Sequence, residues 1–255
     1  MEVFQDYAYY YNAFYNDKDY KKEAKEVVRL LEQFGGHGKQ ILNFGCGTGK
    51  HDIELVQLGY QCTGIDMSSI MISEAKKNAS FYQKGGASIS FSVADIRQYE
   101  TARKYDTVIS LFHVMSYQNR NEDILQAFLS ARKALEPGGI FLFDVWYGPG
   151  VLSDKPTMRV KEVEDEENRL VRIARPVMYD KENRVEVHYE VLVINKRTDV
   201  VKIIREIHSM RYFFRPELEF LLKEAGFEVM DNLDGQSLRA TDYNSWTSYF
   251  IAKAM

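Results

Sequence analysis

The chain has 255 residues, long enough for one large α/β domain or for one domain carrying a smaller module. Its 33 basic and 37 acidic residues leave a net charge of −4, so no overall positive field recruits nucleic acid or an anionic membrane. Two cysteines, Cys46 and Cys62, exclude a disulfide framework and point to a reducing, cytoplasmic setting, and no window predicts an export signal or a bilayer span.

Residues 1 to about 35 read as helix, with Ala24, Val27, Val28, Leu31 and Phe34 at helical spacing before the "GGHG" break. This predicts an N-terminal helical cap over 1–36. Six tyrosines (Tyr7, Tyr9, Tyr10, Tyr11, Tyr15 and Tyr20) fall in its first twenty residues, enough to pack the cap or to line an aromatic, water-poor chamber.

Over 37–146, short apolar runs ("ILNF", "CTGI", "SISFSVA", "DTVISLF", "GIFLFDVW") alternate with helical patterns ("HDIELVQLG", "SIMISEAKKN", "EDILQAFLSARKAL"). Regular β-α alternation predicts a doubly wound parallel sheet. After Trp146 the alternation stops, and 147–215 reads as an inserted antiparallel β-module of three segments joined by "KEN" and "KRT". A helix at "RPELEFLLKEAGF" and a closing β-hairpin over 216–255 return strands to the core sheet.

The stretch "ILNFGCGTGKHDIEL" places Gly45, Gly47 and Gly49 between a strand and a helix. Backbone N–H groups and a helix N-terminus can there face a nucleotide-like ligand, although a tight turn with no ligand also uses glycine. The dinucleotide fingerprint G-x-G-x-x-G is not met, because Lys50 stands where its last glycine belongs, and this disfavours NAD. Asp66, ending the next strand, is placed to accept two ribose hydroxyls.

The loop resembles motif I of class I S-adenosylmethionine-dependent methyltransferases. The run Asp66, Ser68, Met71, Ala75 and the segments "SVADIRQY", "YDTVISLF" and "LEPGGIFLFD" are similar to the same family in the same order. The resemblance implies a Rossmann-like seven-stranded sheet and S-adenosyl-L-methionine as cofactor, leaving as S-adenosyl-L-homocysteine. It implies cofactor contacts at Gly45, Cys46, Gly47 and Gly49 in the loop, and at Asp66 and Met67 near the ribose. Asp95 and Ile96 follow near the adenine, with Leu111 as a further cofactor contact and Tyr11 and Tyr20 in an N-terminal lid. Asn43 departs from the acidic residue frequent in the family, but its amide carbonyl still accepts a hydrogen bond.

The insert, with "GTGKH", "VEVHYEV" and "EIHSMRYFF", resembles bacterial N,N-dimethyltransferases of nucleotide-linked aminodeoxysugars. That likeness implies a role for His51 and an acceptor amine served by His208, His188 or Tyr117, the last standing where those enzymes tend to have histidine. It also implies acceptor contacts from Arg239 and Trp146. His113, His188 and His208 are scattered without a short ligand spacing and the cysteines are poorly placed for zinc, which predicts a metal-independent reaction, and the charge balance predicts no polymer or membrane partner. A strand histidine also serves packing, and Arg239 equally suits a diphosphate or a surface carboxylate. A small-molecule O-methyltransferase and a non-catalytic cofactor-binding protein are the alternatives, and the β-module is the candidate surface for a homodimer.

Overall fold

Alternating apolar side chains on short strands let one sheet carry helices on both faces. The computed structural model describes residues 8–83 and 88–255. Five parallel strands are β1 (Gln40–Phe44), β2 (Gln61–Asp66), β3 (Ile89–Val93), β4 (Tyr105–Ser110) and β5 (Leu135–Tyr147). Their order is β3-β2-β1-β4-β5, and the closing hairpin β10 (Phe227–Asp234) and β11 (Thr247–Ala254) adds antiparallel to β5 through β11. This is the expected seven-stranded, Rossmann-like core.

Odd and even positions of a strand serve different layers. On β5, Phe141, Phe143 and Val145 face the cluster beneath α5 (Asn121–Ala134) and α7 (Arg215–Glu224), which includes Phe128, Leu218 and Leu222. Ile140 and Leu142 face the other, with Leu30, Leu31 and Leu55 from α2 (Tyr20–Gln33) and α3 (Lys50–Gln57). The N-terminal helix is broken: α1 (Ala8–Phe14) and α2 are separate, and the Asp19 carboxylate caps α2 by accepting from the Lys22 N–H at 2.9 Å. Tyr7 lies outside the described residues.

Between the short helix α6 (Gly148–Ser153) and α7 the chain forms a four-stranded antiparallel meander. Its strands are β6 (Arg159–Glu164), β7 (Asn168–Tyr179), β8 (Arg184–Asn195) and β9 (Val201–Phe213). Sequence patterning predicts only the last three. β6 escapes it because an edge strand in solvent needs no buried alternation, and its Lys161, Glu162 and Glu164 mask the apolar positions. The meander joins the core where Trp146 and Tyr147 pair with Tyr212 and Phe213. Phe14 of α1 packs on the meander, against Leu170, Val191 and Ile204, whereas α2 packs on the core.

Candidate active site

The strand order reverses between β1 and β4, so the loops leaving these strands diverge and open a crevice at their carboxyl ends. A cavity of about 310 Å³ lies there. Its floor is the glycine loop after β1 and the segment after β4, including the 3-10 turn Val114–Tyr117; its roof is the meander and the N-terminal aromatics.

All three loop glycines have positive φ, at 73°, 54° and 74° for Gly45, Gly47 and Gly49. Their reasons for lacking a side chain differ. A Cβ on Gly45 would meet Val114 at 2.5 Å, and one on Gly49 would meet Phe91 at 2.6 Å. A Cβ on Gly47 would meet nothing within 4 Å, so this residue alone presents bare backbone to open space. Cys46 is buried, and its thiol is pushed well up by desolvation.

Beside Gly47, the Asp66 carboxylate accepts the N–H of Gly47 at 2.9 Å and that of Ser68 at 2.8 Å. Burial raises its pKa against those two bonds. Two N–H donors leave acceptor capacity on the carboxylate, enough for a vicinal diol. The opposite rim is cationic and aromatic. Lys50, His51, Tyr11 and Tyr20 line it, and Lys18 Nζ sits 3.8 Å from the Phe112 ring centroid. His51 Nε2 lies 2.7 Å from Glu23 Oε2. Burial works against the Glu23 charge, but His51 and Lys18 outweigh it and hold the carboxyl down at about 2. The N-terminal segment is tied to the loop by the Thr48 hydroxyl, which donates to Asn12 Oδ1 at 2.9 Å. Open backbone at Gly47, diol capacity at Asp66 and an aromatic lid fit a sulfonium nucleoside with an amino-acid tail.

Three residues implied for the cofactor do not line the cavity. Met67 is 60% exposed, Ile96 is buried in the core, and the Asp95 carboxylate takes the Arg97 guanidinium on both oxygens, the shorter contact being 2.6 Å. Burial raises the Asp95 carboxyl, but Arg97 outweighs it and the net direction is downward. Leu111, also implied for the cofactor, does line the cavity, as does Met71.

On the side of the meander and the β10–β11 loop, Tyr117, Trp146, Trp246, Tyr189, His208 and Met210 converge. Tyr117 Oη lies 2.8 Å from His208 Nδ1, and His208 Nε2 lies 3.1 Å from Glu206 Oε2. The His208 side chain is 3% exposed and that of Glu206 9%. With the proton on the ring nitrogen that faces the carboxylate, Nδ1 accepts and the Tyr117 hydroxyl donates to it.

His188 does not join this group. Val187 pairs with His208 and Tyr189 with Glu206, so these share one face of the meander. His188 is on the other face with Glu186, 3.3 Å from its carboxylate, and its side chain is 42% exposed. The alternation of Val185, Val187, Val191 and Val193 already dictates this, since adjacent strand residues cannot share a face. Arg239 is exposed on the β10–β11 loop, outside the cavity wall that the same loop reaches through Trp246.

Sequence reading missed Glu206, His113 and Asp144. A glutamate on the apolar face of "IIREIHSM" is the signal for the first; a histidine and an aspartate at the carboxyl ends of successive parallel strands are the signal for the others.

Residues 41–139 match the family model described as a methyltransferase domain. Over 229 residues the chain is 26% identical to the dTDP-3-amino-3,4,6-trideoxy-alpha-D-glucopyranose N,N-dimethyltransferase of Streptomyces venezuelae, covering 88% of this chain and 91% of that one. It is 22% identical over 227 residues to the dTDP-4-amino-2,3,4,6-tetradeoxy-D-glucose N,N-dimethyltransferase of Saccharopolyspora spinosa, covering 88% and 86%. The fold is similar to the X-ray structure of a sugar N-methyltransferase from Streptoalloteichus sp, with a TM-score of 0.81 at 21% identity over 100% and 96% of the two chains.

Proposed function

Starting from a chain that carries an S-adenosylmethionine-dependent methyltransferase domain, we propose that it transfers the methyl group to the amine of a small acceptor, an amino sugar linked to a nucleotide. The observation that carries this reading is the Glu206–His208–Tyr117 chain. Its last member commits its hydrogen to His208, so the Tyr117 oxygen meets the cavity as an acceptor, which suits an N–H of the substrate. Two relatives named for dTDP-linked aminodeoxysugars support the acceptor class.

Bound S-adenosylmethionine supplies an electrophilic methyl on sulfur, and its sulfide leaves without needing a proton. The chain therefore has to align, desolvate and hold a neutral amine. Trp146, Trp246 and Tyr189 exclude water from the acceptor, and Tyr117 fixes the amine by one hydrogen. Glu206 and His208 are positioning residues that hold Tyr117 in that role.

At about 310 Å³ the cavity is at the small end of ligand sites, roughly 300–1,000 Å³. It encloses the reacting ends, and the nucleotide extends past the β10–β11 loop that bears Arg239. The test is methyl transfer to a nucleotide-linked amino sugar, followed by mass spectrometry. Tyr117→Phe should lower kcat about tenfold, near 1.4 kcal/mol, with unchanged cofactor affinity. Turnover of phenols or catechols with no amino sugar methylated would overturn the reading.

A further inference from the structure

A third carboxylate–imidazole pair stands at the same cavity. His113 follows β4, and Asp144 is near the end of β5. The Asp144 carboxylate accepts the His113 backbone N–H at 3.0 Å through Oδ1, while Oδ2 lies 2.6 Å from the ring Nδ1, off the line of a ring N–H. One buried carboxylate thus holds the backbone by a hydrogen bond and stands against the ring. The Asp144 side chain is 8% exposed and that of His113 22%. Nδ1 is buried against Asp144 and His113 lines the cavity, which leaves Nε2 as the nitrogen available to a ligand there.

The backbone is under strain at the same place. Phe112 and His113 have φ of 67° and 66°, two consecutive non-glycine residues in the left-handed region. Such conformations persist where the surroundings enforce them and cluster at functional sites. Here they aim a histidine into the crevice from one end of the Val114–Tyr117 turn whose other end is Tyr117.

We infer that His113, held by Asp144, is the catalytic base that takes the proton from the acceptor ammonium. This rests on the amine reading above. The ammonium N–H bond breaks and an Nε2–H bond forms; the freed electron pair on nitrogen forms the new N–CH3 bond as the methyl–sulfur bond breaks toward sulfur. Asp144 balances the imidazolium, which returns its proton to water.

The charged and titratable groups around His113 come from several elements. Tyr249 on β11 pairs in register with Asp144, and Lys18 and Tyr15 reach the Phe112 ring from the N-terminal segment. Lys50 and Asp66 stand on the loop side, and Tyr117, Tyr189 and His208 on the meander side. Two other histidines line the cavity: His51, which lies 2.7 Å from Glu23, and His208, engaged by Tyr117 and Glu206. A His208 variant therefore serves as the control.

The test compares the full-length chain with His113→Asn, Asp144→Asn and His208→Asn, using a nucleotide-linked amino sugar from about pH 5.5 to about pH 9.5. Asparagine tolerates the left-handed backbone at 113, which keeps that variant folded. For His113→Asn, acceptor kcat/KM should fall at least tenfold near neutral pH, lose the acidic limb and recover with added imidazole. His208→Asn should lower kcat and keep the limb, and cofactor affinity by calorimetry should be unchanged in both. Titration of the His113 ring signals by nuclear magnetic resonance should match the kinetic limb and shift in Asp144→Asn. An unchanged limb in His113→Asn, or a ring titration that does not follow the kinetics, overturns the assignment. Absence of any amine methylation by the unmodified chain overturns the amine reading instead.

Discussion

The two sides of the cavity are assembled over different lengths of chain. On the cofactor side, Gly47 and Asp66 meet across 19 positions; on the acceptor side, Tyr117 and His208 meet across 91. The first wall is made largely of backbone, through positive φ, N–H donors and a missing Cβ. The second is made of side chains, placed by the register of a four-stranded meander and by its junction with β5. Backbone features travel with a short motif. A side-chain wall depends on which strand face each residue occupies, and one step of register would replace His208 by Ile207 or Ser209.

The sharpest way to break this contrast is at the loop. Gly47→Val puts a branched side chain at a φ of 54° and into the open space above the backbone. Cofactor affinity should fall a hundredfold or more, about 2.7 kcal/mol, in a chain that still unfolds cooperatively. Normal affinity by calorimetry would make Gly47 a turn residue and no more. Asp66→Ala should weaken S-adenosylmethionine binding by roughly 1.5–3 kcal/mol, the scale of charge-assisted hydrogen bonds, while acceptor binding stays put.

A third substitution sharpens the acceptor side. If the nucleotide runs past the β10–β11 loop, Arg239→Ala raises the KM for a nucleotide-linked sugar about tenfold and leaves that for the free amino sugar unchanged. An equal effect on both acceptors would place Arg239 nearer the reacting amine than the cavity wall allows.

The smallest expected effect lies under the loop. Asp52 on α3 is fully buried, and its only side-chain partner among the described residues is the Asn43 amide, which donates to Oδ2 at 2.8 Å. Burial pushes its carboxyl up to about 7, against the pull of Asn43 and of its own backbone N–H. Between the ordinary aspartate value and about 7, the folded chain holds a proton that the unfolded chain has lost. Stability from this group is thus present at low pH and lost as pH rises through that window. Asp52→Asn should melt a few degrees above the unmodified chain at about pH 8, with the gap closing toward about pH 4. A constant gap would mean that Asp52 does not titrate there.

Local periodicity and turn chemistry were sufficient for the parallel core, for the glycine loop and for Asp66 at a strand end, because each is a property of a few neighbouring residues. His188 was legible too, since the valines flanking it define the inward face of β8. The β6 strand was hidden by its charges. That Gly45 and Gly49 make room for Val114 and Phe91, while Gly47 faces open space, is decided by packing between elements that no spacing in the chain records. The same holds for the Asp144 grip on His113 and for the contact of His208 with Tyr117. Each joins strand ends or faces distant in sequence, and only sheet order and register bring their atoms within hydrogen-bond reach.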